Sequence, residues 1–382
     1  SGYDFTEYGF SDSENRLALI YLNNSLDLSK YPTDGSASSD VPKGQMIIGP
    51  KVNLTNVWWM STFSDEYAVI YIPDIVNTNC TSMNGAFRGC KNLIAPPDIL
   101  SPDGTLGTSI VTDMTEMFKG CSKIQRAPLM DTSNATNMNS MFEDCAELRS
   151  IPDNFNTSNV TSASCLFKNC HMLGTVPNNM DFRNCTDMSY MFSTCGGFGF
   201  DPETFEEIAT PTVIQTSEQL VNINGMFENL WGIKYLPEMN TSGVTSAIGA
   251  FMGCGMVTEI PEYNFINLQR ADNLFNSCSS ITTIPQLEFY NVLSANGMFD
   301  SCMSLTSLPQ LNFMNLQGSF YMNSGNYEFS GEGYTMLTDI GGFLYGHTEG
   351  AYNLDLKDLT ALTTDSITNV INCIADRSSM SP

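Results

Sequence analysis

The stretch DTSNATNMNSMFEDCAELRSIP, residues 131–152, carries the pattern that decides the fold. Within it Phe142 is followed by Cys145 three residues later, by Leu148 six residues later and by Pro152 ten residues later. The same pattern occurs nine times along the chain. A fixed period of about 20 to 50 residues is typical of repeat architectures, so the sequence predicts a stack of coils.

The repeat is defined by three positions, a phenylalanine, a cysteine and a proline, and most coils are 24 or 25 residues long. The phenylalanines are Phe87, Phe118, Phe142, Phe167, Phe192, Phe227, Phe251, Phe275 and Phe299. The cysteines are Cys90, Cys121, Cys145, Cys170, Cys195, Cys254, Cys278 and Cys302, with Leu230 in the remaining coil. The prolines are Pro97, Pro128, Pro152, Pro177, Pro202, Pro237, Pro261, Pro285 and Pro309. Because equivalent residues of stacked repeats contact one another, we expect the phenylalanines and cysteines to line the axis.

Each coil is predicted to contain one short strand and tight turns. Segments such as CSSITTIP, residues 278–285, are rich in β-branched residues and end at a proline, which is typical of a brief strand. An asparagine lies eight residues before the phenylalanine in six coils, and Gly243 takes that position in another. Asparagine amides bond backbone groups that no strand ladder reaches, so we expect them at the coil corners.

Open stacks need covered ends, and the sequence predicts three regions. Residues 1–79 contain apolar runs at 17–22, 45–48 and 67–72, and are predicted to form a β-rich N-terminal cap. Residues 80–316 form the repeat solenoid of about nine coils. Residues 317–382 are predicted to close the other end with an amphipathic helix, because Ile367, Val370, Ile371 and Ile374 have helical spacing.

Residues 131–152 and the stretch FNTSNVTSASCLFKNCHMLGTVP, residues 155–177, resemble the BspA-like leucine-rich-repeat family. Such repeats occur in surface proteins of gut and oral bacteria and of mycoplasmas, and also in virion proteins of gut phages. The segment 354–378 is similar to one that often follows these repeats and normally continues further, so we expect a cut at Pro382. The resemblance implies a leucine-rich-repeat-like fold, an extracellular location on a cell surface or virion, and display or adhesion.

The charge of the chain excludes one class of partner. The 41 acidic residues outnumber the 16 basic ones, which gives a formal net charge of −25. Nucleic acids and anionic membrane surfaces would be repelled. The longest apolar run, residues 67–73, is far shorter than the about 20 residues that cross a bilayer, so we expect no membrane insertion.

The sequence offers little chemistry. The eight ladder cysteines are equivalent positions of successive coils, so we expect buried thiols that form no disulfides. His171 and His347 lie far apart and no C-x-x-C occurs, so no metal site and no cofactor are predicted. No nucleophile motif is present, so we expect no enzyme. Glycosidase chemistry needs only two carboxylates, and the composition of an acidic chain does not exclude such a pair.

Binding is therefore the predicted function. Outward positions between the cysteine and the proline include Arg149, Lys234 and Glu259, and the tyrosines near them are Tyr235, Tyr263 and Tyr290. An insertion at residues 203–219 adds Phe205 and Glu206. One hypothesis is a bacterial adhesin that binds a host protein, glycan or cell-surface receptor. The other is a phage virion component, either a receptor-binding fibre or a decoration protein attached to other virion subunits.

Overall fold

The structure is a computed structural model that describes most of the repeat region. It covers residues 79–306 apart from 179, 201–203, 205 and 208–212, together with 308, 309, 311, 315, 364 and 368. Five short strands upstream of residue 79 are described as well.

Six strands are described, and they form two parallel three-stranded sheets. The strands are β1 (Ala18–Ile20), β2 (Met46–Ile48), β3 (Val52–Leu54), β4 (Val69–Tyr71), β5 (Ile75–Asn77) and β6 (Ile99–Leu100). One sheet has the order β1-β2-β4 and the other has the order β3-β5-β6. Met46 pairs with Val69, and Val52 pairs with Ile75, so the chain returns to the same register about one coil later.

Five of the six strands lie in the predicted N-terminal region, residues 1–79. Strands occur at all three apolar runs, and their parallel pairing recurs at about the length of one coil. The sequence explains the continuity, since Phe63 and Pro73 keep the ten-residue offset while Glu66 stands where the cysteine would be. This stretch of sequence therefore carries the phenylalanine and proline of the repeat without its cysteine.

The nine phenylalanine-bearing coils are joined by one continuous ladder of single-residue parallel bridges. Every member lies five residues before a phenylalanine: Ser82, Asp113, Asn137, Ser162, Asp187, Asn222, Ser246, Arg270 and Ser294. Parallel pairing at every step places successive coils about 4.8 Å apart. The chain therefore has a repeat fold in which equivalent residues form columns.

The strand predicted between the cysteine and the proline is wrong for these coils. Turns follow the cysteine, and single bridges such as Arg126 to Ser150 and Tyr235 to Glu259 replace a strand. Residues 279–280 form a turn, which leaves one bridging residue, Thr283, in the segment that was predicted as a strand. The segment begins with a turn and ends at a proline, which has no backbone N–H to donate. Only one residue between them is therefore free to pair with a neighbouring coil.

The phenylalanines form a continuous stacked column. The centroids of neighbouring rings are 5.0 to 5.9 Å apart, and the planes are at most 18° from parallel. All nine phenylalanines are buried. Offset stacking of this kind adds about 0.5–1.5 kcal/mol per pair to the burial of apolar area.

The cysteines form a second column beside the phenylalanines, and all eight are buried free thiols. In seven coils the thiol donates to the carbonyl oxygen of the phenylalanine one coil earlier, at 2.9 to 3.2 Å. Burial raises the pKa of these thiols, to about 12 for Cys195 and Cys278. Cysteine thus fills a small apolar position and also satisfies a buried carbonyl.

The backbone reverses around each phenylalanine through two left-handed residues. They lie two residues before and two residues after the ring, as at Tyr190 (φ 56°) and Thr194 (φ 61°) around Phe192. Glycine occupies some of these positions, for example Gly225 and Gly253, and side-chain-bearing residues occupy the others. Left-handed backbone costs an ordinary L-residue about 1–2 kcal/mol, so the coils store strain at defined places.

The asparagines form a column of side-chain hydrogen bonds to backbone groups, as predicted. The side-chain amides of Asn134, Asn159, Asn184, Asn267 and Asn291 each donate to a backbone carbonyl of the preceding coil, at 2.7 to 2.8 Å. Gly243 breaks the column for a steric reason, because a Cβ there would overlap the carbonyl oxygen of Glu218.

The predicted C-terminal helix lies mostly outside the described residues. Thr364 and Thr368 are helical, and the Thr368 hydroxyl donates to the Thr364 carbonyl oxygen at 2.7 Å. Within the described part of the chain, no helix has the length and apolar character needed to cross a bilayer.

Candidate recognition site

Three aromatic rings lie on three glycines at a single junction, between the coils of Phe192 and Phe227. A Cβ at Gly232 would lie 2.7 Å from Cε2 of Phe200, and one at Gly225 would overlap the ring of Tyr190. In the opposite direction, a Cβ at Gly196 would lie 3.4 Å from Nε1 and 3.7 Å from Cζ2 of Trp231. Gly225 and Gly232 must lack a side chain for the Tyr190 and Phe200 rings to lie where they do, whereas a Cβ at Gly196 would be in ordinary van der Waals contact with the indole.

Two aromatic residues at this junction are open to solvent. Trp231 is 60% exposed and Tyr235 is 65% exposed, and Phe200 beside them is half-buried. Phe200 and Tyr235 both lie eight residues after their coil's phenylalanine, and the Phe200 ring covers Gly232, the neighbour of Trp231. We call Phe200, Trp231 and Tyr235 the aromatic strip.

Glu207, in the insertion at residues 203–219, contacts one edge of the aromatic strip. Glu207 forms an antiparallel bridge with Phe200, and its carboxylate accepts a hydrogen bond from Nζ of Lys234 at 2.5 Å. This hydrogen bond raises the pKa of the Lys234 ammonium group. Since both side chains are exposed, the pair positions the insertion more than it stabilises the fold.

An open groove of about 580 Å³ begins just past Tyr235. Its walls come from four successive coils and include Arg183, Val213, Glu238, Asn240 and Glu262. The Nε of Arg183 donates to Oδ1 of Asp181 at 3.0 Å. The carboxylates of Glu238 and Glu262, on the other side of the groove, are exposed to solvent. The groove extends the aromatic strip onto the next side of the coil.

Tyr263 was predicted to be an exposed binding residue, and this prediction is wrong. It is 4% exposed, its hydroxyl donates to the Pro237 carbonyl oxygen at 2.8 Å, and its ring stacks on Phe251 with centroids 5.4 Å apart. Burial raises the pKa of this phenol well above its usual range. Tyr263 closes the floor of the groove.

The other predicted residues divide between the junction and more distant coils. Lys234, Tyr235 and Glu259 lie at or beside the aromatic strip, and Tyr235 and Glu259 are bridge partners. Arg149 lies three coils away and is half-buried, and Tyr290, also half-buried, lies two coils away after the proline. Glu206 is exposed in the insertion, and Phe205 lies outside the described residues.

Trp231 and Phe200 were missed by the sequence reasoning. A signal was present, because the coil FENLWGIKYLP, residues 227–237, is the one in which Leu230 replaces the cysteine. That coil also carries a tryptophan and follows the longest insertion. A departure from an otherwise regular repeat marks a place where a different side chain is needed.

The described side chains of this region suit contact with a partner better than they suit catalysis or metal binding. His171 lies on the same face, four residues after its phenylalanine, and its Nδ1 is 3.0 Å from the Thr194 carbonyl oxygen. The described residues contain no group of three or more His, Cys, Asp or Glu side chains arranged to hold a metal ion. The seven ladder thiols from Cys121 to Cys302 are buried, and burial raises their pKa values, so they are protonated near neutral pH.

A protein-family model described as "Mycoplasma protein of unknown function, DUF285" matches residues 81–205 and 216–334, more than half of the chain. The chain belongs to the DUF285 family. The gap between the two DUF285 segments falls inside the insertion beside the aromatic strip. A leucine-rich cell surface protein of Faecalibacterium prausnitzii A2-165 is similar over 78% of this chain and 88% of its own, with 14% identity and a TM-score of 0.30. The search of curated proteins gave no match.

Proposed function

We propose that this DUF285 chain is a non-enzymatic recognition module of the BspA-like leucine-rich-repeat type, displayed outside the cell, that binds its partner through the aromatic strip. The resemblance of its repeats to those of bacterial surface proteins supports the location. The stacked coils supply a rigid scaffold, because the phenylalanine, cysteine and asparagine columns each bond one coil to the next.

One observation carries the proposal. Where side-chain burial is described, Trp231 and Tyr235 are the aromatic residues classed as exposed, and they lie four residues apart in one coil. Every phenylalanine of the column is buried, so the scaffold does not need these two rings. Tryptophan and tyrosine are the residues most enriched at binding hot spots, because they offer a large contact area at a low cost in side-chain entropy.

The pattern of glycines supports a selected surface. Gly232 makes room for Phe200, and Gly196 lies under the indole of Trp231, so two glycines in neighbouring coils accompany these rings. An exposed tryptophan that served the core would pack under its own coil instead.

A virion component is the second candidate, and it would use the same aromatic strip against a bacterial receptor. The two candidates differ in where the chain is found. Antibody labelling of intact bacteria and of purified phage particles separates them, since an adhesin labels cells and a virion component labels particles.

The test is binding of the fluorescently labelled chain to cultured epithelial cells, measured by flow cytometry. We expect the double variant with Trp231→Ala and Tyr235→Ala to lose cell-associated fluorescence by at least tenfold. The matched control is Met303→Ala with Val221→Ala, which removes two other exposed apolar side chains. Equal binding by both double variants, or no binding by the wild-type chain, would contradict the proposal.

A further inference from the structure

We propose that the ligand of the aromatic strip is an uncharged polysaccharide of pyranose sugars, an inference that rests on the proposed function. The argument has four steps: the presentation of the rings, their surroundings, the local charge and the length of the strip.

The first step is the presentation of Trp231. The indole lies across the backbone of Gly196 in the preceding coil, and its other side is open to solvent. A pyranose ring offers a flat face of C–H groups that carry partial positive charge. Such a face packs well on the electron-rich face of an indole, which is polarised in the opposite sense.

The second step is the surroundings of the ring. The residues at the same position in the coils before and after Trp231 are Gly196 and Gly255. Protein-binding hot spots are instead enclosed by contacts that exclude water around a well-packed centre. A platform flanked by bare backbone is open along its sides, which suits a thin chain of sugar rings.

The third step is the charge. Glu207, Glu238 and Glu259 are exposed near the aromatic strip, and the cations Lys234 and Arg183 are paired with Glu207 and Asp181. The chain as a whole carries a formal charge of −25. Anionic glycans would be repelled. Carboxylates accept hydrogen bonds from neutral hydroxyl groups, so the same side chains suit an uncharged sugar.

The fourth step is the length. Trp231 and Tyr235 are four residues apart, which separates their backbones by at most about 14 Å. The Phe200 ring packs on Gly232, in the interval between them, so the strip offers three rings over more than one coil. A polymer reaches both rings at once, whereas a monosaccharide reaches one, so we expect polysaccharides to bind far more tightly than their monomers.

The experiment is affinity gel electrophoresis of the full chain in gels that contain mannan, galactomannan, dextran or laminarin as neutral probes. Gels with heparin serve as the anionic probe, and immobilised fibronectin serves as the protein probe. We expect retardation by at least one neutral polysaccharide, with an apparent Kd at least tenfold weaker for Trp231→Ala. Gly196→Val pushes the indole off its support and should weaken binding to a similar extent, while Met303→Ala binds as the wild type does.

The outcomes separate this inference from the proposed function. If Trp231→Ala abolishes binding to fibronectin while no neutral polysaccharide retards the chain, the recognition role stands and the sugar ligand is wrong. Retardation by heparin alone also overturns the inference. Loss of the native circular dichroism spectrum in Gly196→Val removes that variant from the comparison, and Trp231→Ala then decides the result.

Discussion

The thiol of Cys278 donates a hydrogen bond to the carbonyl oxygen of Phe251, one coil earlier, at 3.1 Å. The same carbonyl accepts the backbone N–H of Cys254 in its own coil at 3.2 Å. The thiol therefore uses the second lone pair of a buried carbonyl, and this contact recurs along the column. Its consequence is a dependence of stability on pH.

Stability should fall steeply in alkali because of these thiols. Burial raises the pKa of Cys278 to about 12 in the folded chain, while an unfolded thiol titrates near about 8.5. The folded state keeps its proton across that window and the unfolded state loses it, so the contribution is complete below about pH 8.5 and is lost as the pH rises toward about 12. Each such thiol costs about 1.4 kcal/mol per pH unit within the window.

Urea unfolding of the wild type and of Cys278→Ala at pH 8 and pH 10 measures this effect. The difference in unfolding free energy between the two should shrink by about 2 kcal/mol at the higher pH. Val257→Ala is the control, since it alters a buried residue of the preceding coil that does not titrate. Parallel pH dependence of Cys278→Ala and wild type would show that the thiol is not protected.

Relief of backbone strain should stabilise one coil. Thr194 has a φ of 61°, and the equivalent residue of another coil is Gly120, with a φ of 75°. Thr194→Gly is expected to raise the unfolding free energy by about 1 kcal/mol, because glycine adopts this conformation without a steric cost. Gly120→Thr should lower it by about 1–2 kcal/mol, since a Cβ there meets its neighbours at ordinary distances and strain is the main change. Effects of the opposite sign, measured by urea unfolding, would refute the assignment.

Much of this architecture follows from the sequence alone. The phenylalanine and cysteine columns depend on fixed offsets within each coil, and a fixed offset gives the same position in every coil. The asparagine amides follow for the same reason. The burial of Tyr263 does not, because it lies beyond the proline, where coil lengths vary and the register of one coil does not transfer to the next.

The candidate site was predictable only in part, for a related reason. Tyr235 and Lys234 occupy regular outward positions, so the pattern placed them correctly at the surface. Trp231 lies against Gly196 of the preceding coil, and two residues 35 positions apart reveal their contact only after the coils are stacked. The repeat pattern predicts the positions that all coils have in common. The aromatic strip depends instead on residues that occur in only two coils, so the pattern does not predict it.

Gly243 should be intolerant of any side chain. A Cβ there would overlap the carbonyl oxygen of Glu218 and lie 2.9 Å from that of Leu220. Backbone atoms of a packed coil cannot move aside easily, so we expect Gly243→Ala to cost about 3 kcal/mol in thermal or urea unfolding. Gly255→Ala is the matched control, because its Cβ would be 3.5 Å from a flexible Ser279 hydroxyl, and it should change stability by less than about 0.5 kcal/mol. Equal effects of the two variants would argue against this packing of the coils.

The stacking of the coils is tested most directly by the unfolding free energy of Phe275→Ala. The Phe275 ring is buried, with its centroid 5.4 Å from that of Phe251 and 5.8 Å from that of Phe299. Its removal opens a cavity inside the column, and we predict a loss of about 3–5 kcal/mol, against less than about 0.5 kcal/mol for the exposed Tyr235→Ala. A free energy for Phe275→Ala equal to that of the wild type within error would contradict the stacked arrangement.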